Sequence, residues 1–315
     1  MASARRAGIP AAMTSTIVLA GASGDLGARI ARALGQQSAT VRALVRPGKS
    51  AAQRAALDGP GVTVVEVDSA DADALTRACA GASCVVSALA GLRDVVVDAQ
   101  VRVLDAAVAA GVPRFIPSDY SIDFTALPAG SNRNLDLRRE FHEQLERAPV
   151  AATSIYNGAF TDMLTGQAPF ILYGPRRTLC WGDADQKMDF TTIDDVAAYT
   201  ARVALDDSAP RSLRIAGDRV SARDLARIMG DVTGTPFRVL RPCGLGLFSA
   251  VIAVTRALTP TSTDLYPPWQ GMQYMRNMFS GLALPASLDN DRYPGLQWTS
   301  TRDVLTAHVA AMAGR

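Results

Sequence analysis

Lysine and histidine are nearly missing from this chain. Lys49 and Lys187 are the only lysines, so arginine carries almost all of the positive charge, and His142 and His308 are the only histidines. That scarcity argues against a histidine-built metal centre, and no metal is expected. Cys79, Cys84, Cys180 and Cys243 lack metal-ligand spacing and read as buried free thiols of a reducing compartment. The net charge is only +2, which offers nucleic acid no electrostatic footprint. No membrane span is expected either. The apolar stretch "GLGLFSAVIAV", Gly244 to Val254, is too short and is followed by Arg256. It reads as a helix buried against the second part of the chain, with an interfacial membrane contact as the alternative. The first residues lack the apolar core of a signal peptide, so 1–15 read as a disordered extension and a cytoplasmic location is expected.

What is present is a globular composition, 48% hydrophobic and 20% charged over 315 residues, enough for a large core. Strand-like and helix-like segments alternate through the first half. "TIVLA", "VRALV", "VTVVEV", "CVVSALA" and "RFIPS" read as strands, with helices between them and a long one from Asp94 to Ala110. That rhythm implies α/β architecture, a doubly wound parallel sheet of Rossmann type with right-handed crossovers. "AATSIY" (Ala151–Tyr156) reads as a sixth strand. Residues 16–160 are expected to form this domain, joined by a later strand near 212–216. Residues 161–315 are expected to form mainly a smaller, partly discontinuous C-terminal lobe. There, "SARDLARIMG" opens on a capping box, Ser221 with Asp224, and is expected to stop at Gly230. Asp194 and Asp195 read as N-terminal caps of a helix. Pro236 to Trp298 reads as an irregular lid.

The chemistry concentrates in "TIVLAGASGDLG". Gly21, Gly24 and Gly27 follow a strand and open an amphipathic helix. The first glycine permits the tight turn, the second the approach of a pyrophosphate and the third close helix–sheet packing. The helix start supplies N–H groups and partial positive charge. A dinucleotide is therefore expected. The second strand ends in "LVRPGKS", with no Asp or Glu from Gly35 to Ala56. Arg46 and Lys49 suit a 2′-phosphate, hence NADP(H); otherwise they are solvated loop charges. Asp68, after the third strand, either reaches the adenine side or caps the next helix.

In combination, "AGASGDLG", "VRALVRP", "AGVPRFIPSDYSIDF", "NGAFTDML" and "RYPGLQW" resemble the NmrA-like and isoflavone-reductase-like atypical short-chain dehydrogenases. The likeness runs from about Ile17 to the end. It implies a Rossmann domain carrying NADP(H) beside a substrate lobe. It maps Gly21, Ser23, Gly24, Asp25, Leu26 and Gly27 to the phosphate loop and Arg46 to the 2′-phosphate. It also maps Ala88, Leu89 and Ala90 beside the adenosine ribose, Pro117 and Ser118 beneath the nicotinamide, and Asn157 to Phe160 over the cofactor. One position departs from the pattern. Reductases of this type carry a lysine on the helix before the sixth strand, and here that place falls on Arg138. A Tyr-x-x-x-Lys pair is missing too, since Tyr120 and Tyr156 are followed four residues later by Phe124 and Phe160.

An arginine stabilises negative charge but cannot exchange protons near neutrality. Proton delivery then falls to Tyr120, to His142 one helical turn from Arg138, or to water. The alternative places Arg138 in solvent and leaves His142 as an ordinary helix residue. Trp269, Met272, Tyr274, Met275 and Met278 line an aromatic pocket or fill the core of the lobe. Two functions follow. One is an NADPH-dependent reductase of a small, aromatic or conjugated organic substrate, acting as a monomer or homodimer. The other is a non-catalytic dinucleotide sensor of the NmrA type.

Overall fold

The computed structural model describes residues 15–48, 50, 54–55, 57–259 and 264–314. The first strand, β1 (Thr16–Ala20), shows why the early segments are apolar throughout. Its side chains alternate between two layers, Ile17 and Leu19 on one face, Val18 and Ala20 on the other, and all four are buried. A strand covered by helices on both sides has no polar face.

β1 runs into α1 (Asp25–Gln36), followed by β2 (Thr40–Val45), β3 (Val62–Glu66), α2 (Ala72–Cys79) and β4 (Cys84–Ser87). The long helix begins as a π-helical stretch, Asp94–Ala99, and continues as α3 (Gln100–Ala109) to β5 (Arg114–Ile116). Then come α4 (Arg133–Leu145) and β6 (Ala151–Ala152). The strands form a parallel sheet in the order β3-β2-β1-β4-β5-β6, the doubly wound arrangement expected. The order reverses between β1 and β4, so a crevice opens at their carboxyl ends. The sixth strand is split. After β6, the chain continues as β7 (Ser154–Tyr156), which pairs with β12 (Ser212–Arg214) far along the sequence. Of the expected 1–15 extension only Ser15 is described, and Lys49 lies outside the described residues.

The rest of the chain is built from short strands: β8 (Ala159–Phe160), β9 (Ile171–Leu172), β10 (Arg177–Leu179), β11 (Met188–Thr191), β13 (Asp218–Val220) and β14 (Arg238–Leu240). The helices there are α5 (Ile193–Ala204), α6 (Ala222–Thr233), α7 (Leu245–Leu258), α8 (Pro268–Phe279) and α9 (Thr301–Ala313). Three expectations change. α6 has the Ser221–Asp224 capping box but runs past Gly230 to Gly234, which supplies the left-handed φ of +66° that ends a helix. Thr192, not Asp194 or Asp195, caps α5; Asp194 reaches Arg29, and Asp195 receives the N–H of Thr299 at 2.9 Å. The stretch from Pro236 to Trp298 contains two ordered helices. Of these, α7 buries only Phe248 and Ile252 and leaves Leu247, Val251, Val254 and Leu258 open, because it packs chiefly on α8. No described helix is long and apolar enough to cross a membrane.

Candidate active site

The turn after β1 is tight by necessity. Gly21 sits at φ +79°, and a Cβ there would lie 2.5 Å from the Ala88 carbonyl oxygen. A Cβ on Gly27 would lie 2.2 Å from the Gly21 oxygen, so the helix cannot otherwise close on its own turn. At Gly24 the nearest neighbour of a Cβ is 3.4 Å away, which leaves the space above the turn clear. Gly24 is also the N-cap of α1 and offers no side-chain cap, so the first-turn N–H groups keep their capacity for an anion. A phosphate fits this cradle by shape and by polarity.

Around the cradle, Ser23 and Leu26 are half-buried, with Leu26 packed on the sheet core. Asp25 is exposed and held by Arg29 at 2.8 Å, which turns its charge aside from the opening. Arg46, at the end of β2, is exposed and has no hydrogen-bond partner among the described residues. Asp68 is exposed and accepts the N–H of Ala70 at 2.9 Å in a local turn; Asp71 is the residue that caps α2, through the N–H of Ala74. Ala88 and Leu89 are half-buried and Ala90 is exposed at the exit of β4.

A chain of hydrogen bonds links this crevice to α4. Ala88 donates its N–H to Ala20, and the Ser118 hydroxyl donates to the Leu89 carbonyl at 2.7 Å. The N–H of Ser118 is in turn held by the buried Gln100 at 2.9 Å. Pro117 and Ser118 are both buried. Arg138 reaches across from α4 and donates through Nε to the Ser118 carbonyl and through Nη1 to Asn134, each at 3.0 Å. Its guanidinium is therefore fixed at the end of β5, not loose in solvent. Nη2 remains as a donor.

One turn along α4, His142 Nε2 meets Asp119 Oδ2 at 2.7 Å. Asp119 is wholly buried and its other oxygen has no partner among the described residues. The imidazole also packs edge-on against Phe124, with centroids 5.1 Å apart. Tyr120 is turned away from this group. It lies in the sheet core, its hydroxyl beside that of Thr200 on α5 without a well-aligned hydrogen bond, and burial pushes its phenol far above the ordinary value. Asn157 is buried, donates its N–H to Ser121 and accepts from Thr191 Oγ1 at 2.7 Å; its Oδ1 is unpartnered among the described residues. Phe160 is half-buried against the sheet core.

Across from Arg138 stands Tyr274 of α8. Burial pushes its phenol up to about 12, against the pull of the Arg138 charge and the contact with Asn134. Trp269, Met275 and Met278 are buried, whereas Met272 and Tyr274 are half-buried and keep a face outward. Asn134 and Gln100 carry no motif that marks them in the sequence. The carboxylate directly after Ser118 was the one available signal for Asp119.

The sequence pattern of the NmrA-like family matches residues 13–252. The chain belongs to the NmrA-like family. Among proteins similar to it, pinoresinol reductase 1 of Arabidopsis thaliana is 28% identical over 212 residues, which is 62% of this chain and 66% of the relative. Oxidoreductase swnN of Arthroderma benhamiae (strain ATCC MYA-4681 / CBS 112371) is 32% identical over 168 residues, 48% of this chain and 52% of the relative. The chain thus spans between half and two-thirds of these curated relatives. A solved structure, AtPrR2 with NADP+ and (+)pinoresinol, superposes with a TM-score of 0.78 at 19% identity, covering 94% of this chain and 99% of that one. That likeness is one of fold.

Proposed function

We propose that this protein is an NADPH-dependent reductase of a small organic substrate with an aromatic or conjugated acceptor. The observation that carries the reading is the open Gly24 cradle facing an uncapped helix start at the switch point of the sheet. The reductase names of relatives, and a structural neighbour solved with NADP+, support it.

In this reading the α1 N–H groups hold the pyrophosphate and Arg46 pairs with the 2′-phosphate, for which a carboxylate would be repulsive. When bound, the nicotinamide supplies a hydride. The protein's own part is to orient the substrate and to manage charge and protons. Arg138, anchored by two carbonyls, turns Nη2 toward a substrate oxygen and stabilises the negative charge that develops there. Tyr274, protonated at any working pH, is the proton source within reach of the same spot. His142 and Asp119 keep the exit of β5 in place beneath them.

The test is a pair of measurements on the purified chain. Calorimetry should show NADPH binding, with Arg46→Ala weakening NADPH by about tenfold or more and NADH little. Loss of NADPH absorbance should follow addition of some member of a panel of aromatic ketones, enones and benzylic ethers. Equal losses for both nucleotides would remove Arg46 from its role. Tight binding without turnover on any member would favour the nucleotide sensor, a reading to which the Arg138 replacement lends weight.

A further inference from the structure

We infer that a second site, for a small amphipathic organic anion, lies between α7, α8 and the segment 128–131. An open groove of about 750 Å3 occupies this place. Ile252, Ala253 and Ala257 of α7 give the groove an apolar lining, and Arg256 of the same helix, with Gln273 and Arg276 of α8, keeps donor groups that no described residue uses.

Arg256 makes no hydrogen bond or ion pair with any described residue; its guanidinium rests over the Trp269 ring at 5.3 Å. Arg276 donates only through Nε, to Ser249 at 3.1 Å, and both Nη groups remain. The Ser249 hydroxyl is spent on the Leu245 carbonyl. Gln273 uses its carbonyl oxygen to receive the N–H of Arg133, so its amide nitrogen is left over. The Ser131 hydroxyl accepts from Asn277, and its own proton is unassigned. No described carboxylate lines the groove.

Positive charge here is therefore in excess. Arg133 packs over the same Trp269 at 4.8 Å, where burial first and then the Arg256 charge pull its guanidinium below the ordinary value. Donors converging from two arginines, an amide and a hydroxyl suit a carboxylate, which accepts through two oxygens. The apolar wall suits a hydrocarbon or aryl body. The groove shares no residue with the glycine turn or with the ends of β4 and β5, so this site does not depend on the proposed reductase chemistry.

The probes are 4-phenylbutyrate and its neutral amide, titrated calorimetrically into the full chain with and without saturating NADP+. The acid is expected to bind about tenfold or more tightly than the amide, with Arg256→Ala and Arg276→Ala each weakening the acid about tenfold and sparing the amide. Arg256 is exposed, so its variant keeps the wild-type melting temperature and stands alone if Arg276→Ala unfolds. Trp269 fluorescence should change on binding. Equal affinity for acid and amide, no uptake of the acid, or an Arg256→Ala protein that binds like wild type overturns the site. Loss of binding when NADP+ is added also overturns it, because the acid would then sit in the nucleotide crevice.

Discussion

The two halves of this molecule hold their shape by different means. The first is a continuous ladder: six parallel strands with buried aliphatic layers on both faces, where backbone bonding does most of the ordering. The second consists of strands of two to four residues drawn together by ion pairs and by side chains that reach across long stretches of sequence. Asp123 meets Arg214 at 2.7 Å, Asp189 meets Arg219 at 2.6 Å, and Asn290 donates to the Ala216 carbonyl at 2.7 Å. Damage in the first half should therefore be steric and damage in the second electrostatic.

The sharpest way to break that comparison is in the glycine turn. Gly27→Ala forces a Cβ against the Gly21 oxygen and should cost about 3 kcal/mol in chemical denaturation. Gly24→Ala, three residues earlier, should leave the denaturation midpoint in place, because there a Cβ meets nothing nearer than the Gly21 oxygen at 3.4 Å, and on the proposed function it should weaken NADPH about tenfold by crowding the phosphate. If Gly27→Ala is as stable as wild type, the turn is not sterically closed.

Where the second half meets the first, Asp123→Ala removes the buried partner of Arg214 and the acceptor of the Thr125 N–H. Its expected cost is about 2 kcal/mol, reduced from the fully buried case because Arg214 reaches water. High salt should not reproduce that loss. At the junction of the halves, Tyr274→Phe should lower kcat about tenfold with KM little changed. Since the phenol is raised to about 12, the wild-type rate should show no alkaline fall from this group in the neutral range. A variant with full kcat would return proton delivery to water.

The smallest effect concerns Asp206. Burial works against its charge, yet bonds from Ser208, Tyr293 and Arg292 hold its carboxyl well below the ordinary 3.8. A depressed carboxylate stabilises the fold above the unfolded value and loses that contribution as pH falls. Asp206→Asn should thus cost about 1 kcal/mol at neutrality and progressively less below pH 3.8, read from pH-dependent melting. An unchanged deficit in acid would mean the loss is one of packing.

The same contrast governs what could be read from residue order alone. β1 to β5 were legible because apolar runs and glycine punctuation are local signals. The cradle was legible for the same reason. Arg138 and Tyr274 stand far apart in the chain, and their meeting depends on how α8 packs across α4. No local period encodes that. The run "YPPWQGMQYMRNMFSG" looked irregular because polar Gln270, Gln273 and Asn277 interrupt its apolar pattern, yet all three are buried in the helix that forms there. Tyr120 misled in the opposite sense, since its position beside Ser118 says nothing about which way the ring turns.

Tyr293, Leu296 and Trp298 come to rest on the sheet core of the first half, and the Tyr199 hydroxyl donates to the Asp289 carbonyl at 2.9 Å. This late segment thus acts as a lining for a floor laid down much earlier by the ribosome. A fragment ending at Phe160 would emerge with that floor bare and without α5, and would be expected to clump. Synthesis must run past Trp298 before the first half is fully clothed.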